Sequence, residues 1–426
     1  MEEVIKINGG KLLDGTIKVS GAKNATVALL PASVMAYQPV RISGIPNISD
    51  VESLKEIMRY MNVDVQELSS SELLIDPSGM ENRVLDLDAV RKLRASYYFM
   101  GALLGKYKRV VMRMPGGCDL GPRPINLHLK GFEALGAHIT YDEQTIPNDI
   151  IITIEAEELV GTRIYLDFAS VGATINIIMA AVYAKGRTII ENAAREPEII
   201  DCINLLNRMG AVIRGGGTSR VVIDGVETLG GCFHEIIPDR IEAGTYIILS
   251  AAMANHVCIE NVIPYHLDSL ISKLKEMGVN IVSSLDKVDV YSSPSLNAVD
   301  ITTMPYPGFA TDLQSPLSAL MTKAEGTSTI LETIYPERFK ACEQLEKMGA
   351  SVQIEIPQAQ ITGITGLHGC DVTATDLRCG AALVIAGLMA DGTTTIHEIK
   401  HIDRGYQDIV SKLRNLGADI WREHID

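Results

Sequence analysis

One thiol stands apart in this 426-residue chain. Cys118 lies in VVMRMPGGCDLGPRPINLH, residues 110–128, among Pro115, Gly116, Gly117, Gly121, Pro122 and Pro124, with Arg113 and Arg123 on either side. A loop so poor in apolar anchors is not core, and it is long enough to act as a lid. The two guanidinium groups favour thiolate and lower the thiol pKa below its free value of about 8.5. A proton donor or nucleophile on a lid is the chemistry this offers. A second set of residues is basic: Lys23, Arg94, Arg123, Arg195, Arg240, Arg338, Arg378 and Arg404 all fall in strand-to-helix loops or at the starts of apolar helices. In a chain with a net charge of −15 and 38 basic residues that placement is selective. Helix starts carry unpaired N–H groups and the positive dipole end, and arginine adds a planar fork suited to carboxylate and phosphate. The ligand implied carries several anionic groups. Ser170, with Val171 and Gly172, reads as a helix cap whose free N–H groups suit a diphosphate. Asp312 in ATDLQ and Asp376 in ATDLR both read first as N-caps. Asp312, in the proline-rich loop MPYPGFATD, is the better candidate base. Arg195 beside Glu196 and Arg240 beside Asp239 read equally well as ion-paired scaffolding.

Those residues are carried on a repeated frame. A helix end followed by a turn residue and a β-rich segment occurs six times, in MRYMNVDV, GFEALGAHI, LLNRMGAVI, KLKEMGVNI, QLEKMGASV and KLRNLGADI. The turn residue is Asn62, Gly136, Gly210, Gly278, Gly349 and Gly417, about 70 residues apart each time, as expected of one unit copied along the chain. Glycine ends a helix in the left-handed conformation, and asparagine is its usual substitute. Ahead of each turn runs an amphipathic helix, ahead of that a loop and a strand such as VRISGI or TTIHEI, and ahead of the strand a second helix apolar on all sides, as in SVGATINIIMAAVYA. A helix apolar all round is buried. The sixth copy stops at DIWREHID, and the missing piece resembles the chain's own start, EVIKINGGKLLDGTIKVSGAKNA. The expected architecture is α/β, with buried helices inside and sheets outside. Three units make a first domain at 23–236, which holds the cysteine loop, and three make a second at 1–22 with 237–426.

Composition removes several classes of function. No basic run of five exists, so attraction to nucleic acid is not expected. No stretch of 18 apolar residues is present and MEEVIKINGG has no export-signal core, so neither a membrane span nor secretion is expected, and the location implied is cytoplasmic. Seven cysteines without a CxxC pair read as reduced thiols, six of them small core residues; no metal is called for.

Together the six-unit pattern and the motifs SGAKNA, LRAS, PGGCDLGPRPINLH, ASVGAT, ENAAREPEI, IPDRIEAGT, ATDLQ, ATDLR and HIDRGY resemble the UDP-N-acetylglucosamine enolpyruvyl transferases, of the EPSP synthase family, through essentially the whole chain. The resemblance implies a two-domain inverse α/β barrel. It implies transfer of the enolpyruvyl group of phosphoenolpyruvate to the 3-hydroxyl of UDP-N-acetylglucosamine, in peptidoglycan synthesis, through a tetrahedral intermediate, with no cofactor and in a monomer. By motif, Cys118 is the general acid toward the enolpyruvate methylene and a site of covalent adduct formation, and Asp312 is the base for the sugar hydroxyl. Lys23, Arg123 and Arg404 hold phosphate, and Arg338 and Arg378 lie near the carboxylate. Asn24, Arg94, Arg123, Pro124, Ile125, Asn126, Leu127, Ser170, Val171, Gly172, Asp312 and Ile334 fall where the nucleotide sugar binds. The chain departs from the family at Asn126, often Asp there, and at Ser49, near a position often basic; both bear on nucleotide affinity and closure. A sister transferase acting on shikimate phosphate is disfavoured by PGGC and ENAAREPE. A non-catalytic six-unit scaffold is disfavoured by arginines confined to loops.

Overall fold

A helix with no polar face has to be surrounded, and six such helices organise this chain. The computed structural model describes residues 2–114, 125–146, 149–293 and 295–425 and divides the chain into two compact units. One is Gly21–Ile237; the other joins Met1–Ser20 to Pro238–Asp426. Each has its own hydrophobic core. The inner helices of the first are Lys23–Ser33, Tyr98–Tyr107 and Val171–Val182. Those of the second are Arg240–Met253, Gln314–Met321 and Leu377–Met389. Small residues let them close in on one another. Gly101 donates its N–H to Asn176 Oδ1 at 2.9 Å, and a methyl group at position 101 would lie 2.4 Å from the Asn176 carbonyl oxygen.

Each inner helix leads into a strand: Val40–Ser43, Arg109–Arg113, Arg187–Glu191, Ala254–Glu260, Thr327–Leu331 and Thr393–His397. In five of the six sheets formed by the described residues, that strand has a short parallel neighbour on one side and two antiparallel strands beyond the other. In the sixth sheet a single bridge, Leu85 to Met112, stands where the parallel strand would be. The sheets' inner-facing positions are buried and their outer-facing positions exposed or half-buried, as the alternation in Arg187–Glu191 and Thr393–His397 shows. The amphipathic helices end at Asn62, Gly136, Gly210, Gly278, Gly349 and Gly417, with φ of 63°, 101°, 112°, 92°, 94° and 95°. Asn62 takes the left-handed conformation at a modest cost that its short polar side chain tolerates.

The two passages of the chain between units exchange strand partners. Leu13–Lys18 leads into the inner helix Lys23–Ser33 but pairs with Ala254–Glu260. Phe233–Glu235 leads into Arg240–Met253 but pairs with Val40–Ser43. The N-terminal strand Glu2–Asn8 lies between Thr393–His397 and Asp419–Ile425 and is antiparallel to both.

Because Gly101 meets backbone, Gly101→Ala forces the two inner helices apart. The variant is expected to lose about 3 kcal/mol of unfolding free energy, the upper end of typical overpacking costs. Equilibrium urea unfolding measures it, and a loss below about 0.5 kcal/mol would contradict the packing described.

Candidate functional site

In Gly21–Ile237, three of the segments singled out by sequence meet at one imidazole. Tyr97 ends the 3-10 turn Arg94–Tyr97, and its ring meets that of His128 edge-on with centroids 5.0 Å apart. Gly172, at the start of Val171–Val182, comes so close that an added Cβ would be 2.9 Å from both His128 Cε1 and Tyr97 Oη. His128 itself lies in the first turn of Asn126–Ala134, just after Ile125, Asn126 and Leu127. Arg94, Asn126, Leu127, Ser170, Val171 and Gly172 are thus brought to one end of this unit. Ser170 caps its helix by accepting from the Ala173 N–H at 3.3 Å. Lys23 and Asn24 open another inner helix, and Lys23 Nζ is 3.0 Å from Asp50 Oδ2, with both side chains largely buried. Cys118, Asp119, Arg123 and Pro124 lie outside the described residues.

The imidazole's protonation follows from its neighbours. The Gly101 N–H can only donate, so Asn176 turns Oδ1 toward it and Nδ2 toward His128 Nδ1, 2.8 Å away. His128 Nδ1 therefore accepts, and the neutral ring carries its proton on Nε2. Burial pushes the His128 pKa down to about 3, and the charge of Arg94 acts in the same direction. Nothing in the residue pattern marked His128 for this role.

The second unit gathers a different group. Asp312, the candidate base, sits inside the 3-10 turn Thr311–Leu313 and faces two arginines. Arg338 Nη1 donates to its Oδ1 at 2.7 Å and Arg378 Nη2 to its Oδ2 at 3.0 Å. The guanidinium side chains are 4% and 6% exposed, Asp312 26%. Burial opposes the charge on Arg378, but the Asp312 carboxylate, Tyr406 and Asp239 together more than offset it and raise the group above its usual range. Arg378 Nη1 also donates to the Tyr406 hydroxyl, which shares a 2.8 Å hydrogen bond with Thr245 Oγ1. Asp376 is a cap as expected, accepting from the Arg378 and Cys379 N–H groups. Arg404 ends the short helix Lys400–Asp403, and the neighbouring Gly405 packs on Leu377 at the start of the helix that carries Arg378.

A residue that sequence reasoning missed joins two of these segments. Glu332 is fully buried and accepts four hydrogen bonds: from the hydroxyls of Thr303 and Thr311, at 2.7 and 2.9 Å, and from the N–H groups of Ile334 and Tyr335, at 2.8 and 2.9 Å. Thr311 precedes Asp312, while Ile334 and Tyr335 begin the loop to Arg338. The only clue was a carboxylate in an apolar strand end, STILETI.

Arg195 and Arg240 stand in different surroundings. Asp239 caps Arg240–Met253 by accepting from the Ile241 and Glu242 N–H groups, and Arg240 lies over the Tyr306 ring at 5.6 Å. Arg195 is exposed, and its N–H donates to Glu196. Of the six described cysteines, Cys202, Cys258, Cys342 and Cys379 are buried and Cys232 and Cys370 partly so. Burial raises the pKa of every one, that of Cys342 to about 12. None is activated as a nucleophile. Among the described residues no cluster of His, Cys, Asp and Glu is suited to a metal, and no helix is long and apolar enough to cross a membrane.

Known proteins resemble this chain along its whole length. A family model described as EPSP synthase (3-phosphoshikimate 1-carboxyvinyltransferase) matches residues 7–413. A UDP-N-acetylglucosamine 1-carboxyvinyltransferase 2 of Bacillus cereus is 54% identical over 423 residues, 99% of this chain and 97% of that one. The protein of the same description in Bacillus subtilis (strain 168) is 53% identical over 424 residues, with 99% and 97% covered. The crystal structure of the enolpyruvyl transferase NikO from Streptomyces tendae superposes with a TM-score of 0.89 at 28% identity, covering all of both chains. An EPSP synthase from Acinetobacter baumannii, at 20% identity and a TM-score of 0.76 over all of both chains, shares the fold.

The depressed pKa of His128 has a thermodynamic consequence. Below about pH 6.5 the unfolded chain binds a proton that the folded chain refuses until about pH 3, so this group makes the fold less stable as pH falls through that window. The slope is at most about 1.4 kcal/mol per pH unit. His128→Gln is expected to be less stable than the parent at pH 7, yet to lose about 2 kcal/mol less on going from pH 7 to pH 5. Urea unfolding at both pH values measures this, and equal losses in the two proteins would refute the neutral, buried imidazole.

Proposed function

The chain belongs to the EPSP synthase family, and from that footing we infer its reaction. It is an enolpyruvyl transferase that moves the enolpyruvyl group of phosphoenolpyruvate to the 3-hydroxyl of UDP-N-acetylglucosamine and releases phosphate, at the entry to peptidoglycan synthesis. The observation that carries this reading is the 54% identity, over 99% of the chain, to a protein named for that acceptor.

The residues support an addition and elimination mechanism. In the addition, Asp312 takes the proton of the sugar hydroxyl as its oxygen bonds to C2 of the enolpyruvate. Cys118 delivers a proton to the C3 methylene, which makes it methyl. In the elimination, C3 returns a proton to the Cys118 thiolate, the C2–O bond breaks so that the double bond re-forms, and phosphate leaves with the proton that Asp312 had taken. A carboxylate and a thiol so divide the base and acid roles. Lys23, Arg123 and Arg404 are assigned to the phosphate, and Arg338 and Arg378 to the carboxylate. The burial of Arg338 and Arg378 suits that assignment, since guanidinium groups fixed out of water stabilise charge developing on the transferred group without reorganising. Arg94, Asn24, the Arg123 to Leu127 segment, Ser170 to Gly172 and Ile334 are assigned to the nucleotide sugar. The neutral, buried His128 fixes the relative placement of Tyr97, Gly172 and the helix that starts at Asn126, so it acts as a positioning residue there.

Phosphate release from phosphoenolpyruvate is expected only when UDP-N-acetylglucosamine is present. Release that depends instead on shikimate 3-phosphate would move the chain to the sister activity of the family. A release assay with each acceptor in turn decides between them. On the same reading Cys118→Ser loses labelling by an epoxide phosphonate and turns over at least about 100-fold more slowly, the usual scale of a lost general acid. Unchanged turnover together with unchanged labelling would remove Cys118 from the mechanism.

A further inference from the structure

We infer that Asp312 stands in for the carboxylate of phosphoenolpyruvate in the free protein, so that the donor must displace it from the Arg338 and Arg378 fork and thereby frees the base only once the donor has bound. The inference rests on reading the chain as an enolpyruvyl transferase. Its observations all lie within one unit.

Two buried guanidinium groups so close together need an anion between them, because an unpaired buried cation is strongly unfavourable. Asp312 provides it in the geometry of a bound carboxylate, one oxygen to each arginine, at 2.7 and 3.0 Å. A substrate carboxylate would satisfy the same fork in the same way. The arginines are the fixed partners of the three. Arg338 Nη1 also donates to Thr311 Oγ1 at 3.1 Å, and Thr311 in turn donates to the buried Glu332. Arg378 is propped by Tyr406, whose hydroxyl meets Thr245 Oγ1, and Thr245 Oγ1 is in turn bonded to the Ile241 carbonyl. Neither prop includes the Asp312 side chain, so the fork keeps its shape when the carboxylate leaves. Asp312 is the most exposed member of the group, while Thr311 beside it stays pinned by Glu332. Arg338 Nε is buried and has no hydrogen-bond partner among the described residues, so the fork has a donor to spare that Asp312 does not use.

The exchange acts as a conformational tax on donor binding. A fork that is mostly occupied by Asp312 binds phosphoenolpyruvate more weakly by the fraction of time it is open. It also orders the chemistry. While the arginines hold Asp312 it cannot take a proton from the acceptor; the donor releases it just when a proton has to be taken.

The test compares the wild type with Asp312→Asn and Asp312→Ser. Binding of two probes to the free protein, without acceptor, is measured by titration calorimetry: phosphoenolpyruvate, and isopropenyl phosphate, which has methyl in place of the carboxylate. Thermal melts check that each variant is folded, and the smaller Ser variant serves if Asn itself holds the fork. The expected result is phosphoenolpyruvate binding roughly tenfold tighter in both variants, with isopropenyl phosphate unchanged. A gain of equal size for both probes would mean only relief of general charge repulsion and would overturn the exchange. No gain for phosphoenolpyruvate would overturn it as well. The underlying reading fails separately, if the wild type releases no phosphate from phosphoenolpyruvate with UDP-N-acetylglucosamine.

Discussion

Six helices without a polar face are the constraint on which everything else in this chain depends. Sequences such as VGATINIIMAAV and LRCGAALVIAGLM cannot rest on one surface, because every direction around them is apolar. Each must be covered by other helices and by sheet. Alanine and glycine at the contacts allow approach as close as that of Gly101 to the Asn176 carbonyl. Among the described residues, the helix ends and the loops beside them are where charged side chains gather. The residues assigned to substrate accordingly open helices or lie in adjoining turns: Lys23, Arg94, Asn126, Ser170 and Val171 in one unit, and Asp312 and Arg378 in the other.

Buried carboxylates then tie those ends together. Glu332 takes four donors and so joins the turn of Asp312 to the loop of Arg338. Glu242 accepts from the Ser20 N–H at 2.7 Å, from the Tyr246 hydroxyl at 2.9 Å and from Lys412 Nζ at 2.6 Å, which anchors the first passage of the chain between units. Burial raises its pKa, and the ammonium of Lys412 works against that. Asp201 does similar duty at the second passage, bonded to His234 Nε2 at 2.8 Å and to the Ile237 N–H at 3.2 Å. A buried acid left without its donors would cost several kcal/mol, so each of these carboxylates comes with its own set of donors.

What sequence makes legible here is what local chemistry decides. Helix-ending turns need a left-handed residue, and Asn62 and the five glycines that share its place could be read off directly. All-apolar helices and alternating strands are also local patterns. The strand exchange at the two passages between units is not, since Leu13–Lys18 and Phe233–Glu235 are each hydrogen-bonded to a strand more than 180 residues away. His128 and Glu332 escaped notice for the same reason. A histidine in INLHL and a glutamate in ILETI acquire roles only from neighbours that the fold supplies. The cysteine loop, which the sequence marks most strongly, lies with Cys118, Arg123 and Pro124 outside the described residues.

The two copies of ATDL show how repeated sequence comes to divide labour. In both, the aspartate should cap the helix that follows, and Asp376 does so, accepting from two N–H groups. At Asp312 a 3-10 turn replaces the helix start and the carboxylate faces the arginines. The neighbouring threonines differ as well. Thr311 gives its hydroxyl to Glu332, whereas the buried Thr375 hydroxyl donates to no carboxylate among the described residues. The glutamate that follows the strand in the last repeat, Glu398, has a φ of 57° and its N–H is bonded to Glu2, so it is turned to other work. Two residues after the aspartate stands Gln314 in one copy and Arg378 in the other. One repeat has therefore given up its cap and contributes the acid, while the other keeps its cap and contributes the cation that the acid meets. Two stretches of like sequence thus take different parts in one cluster of charges.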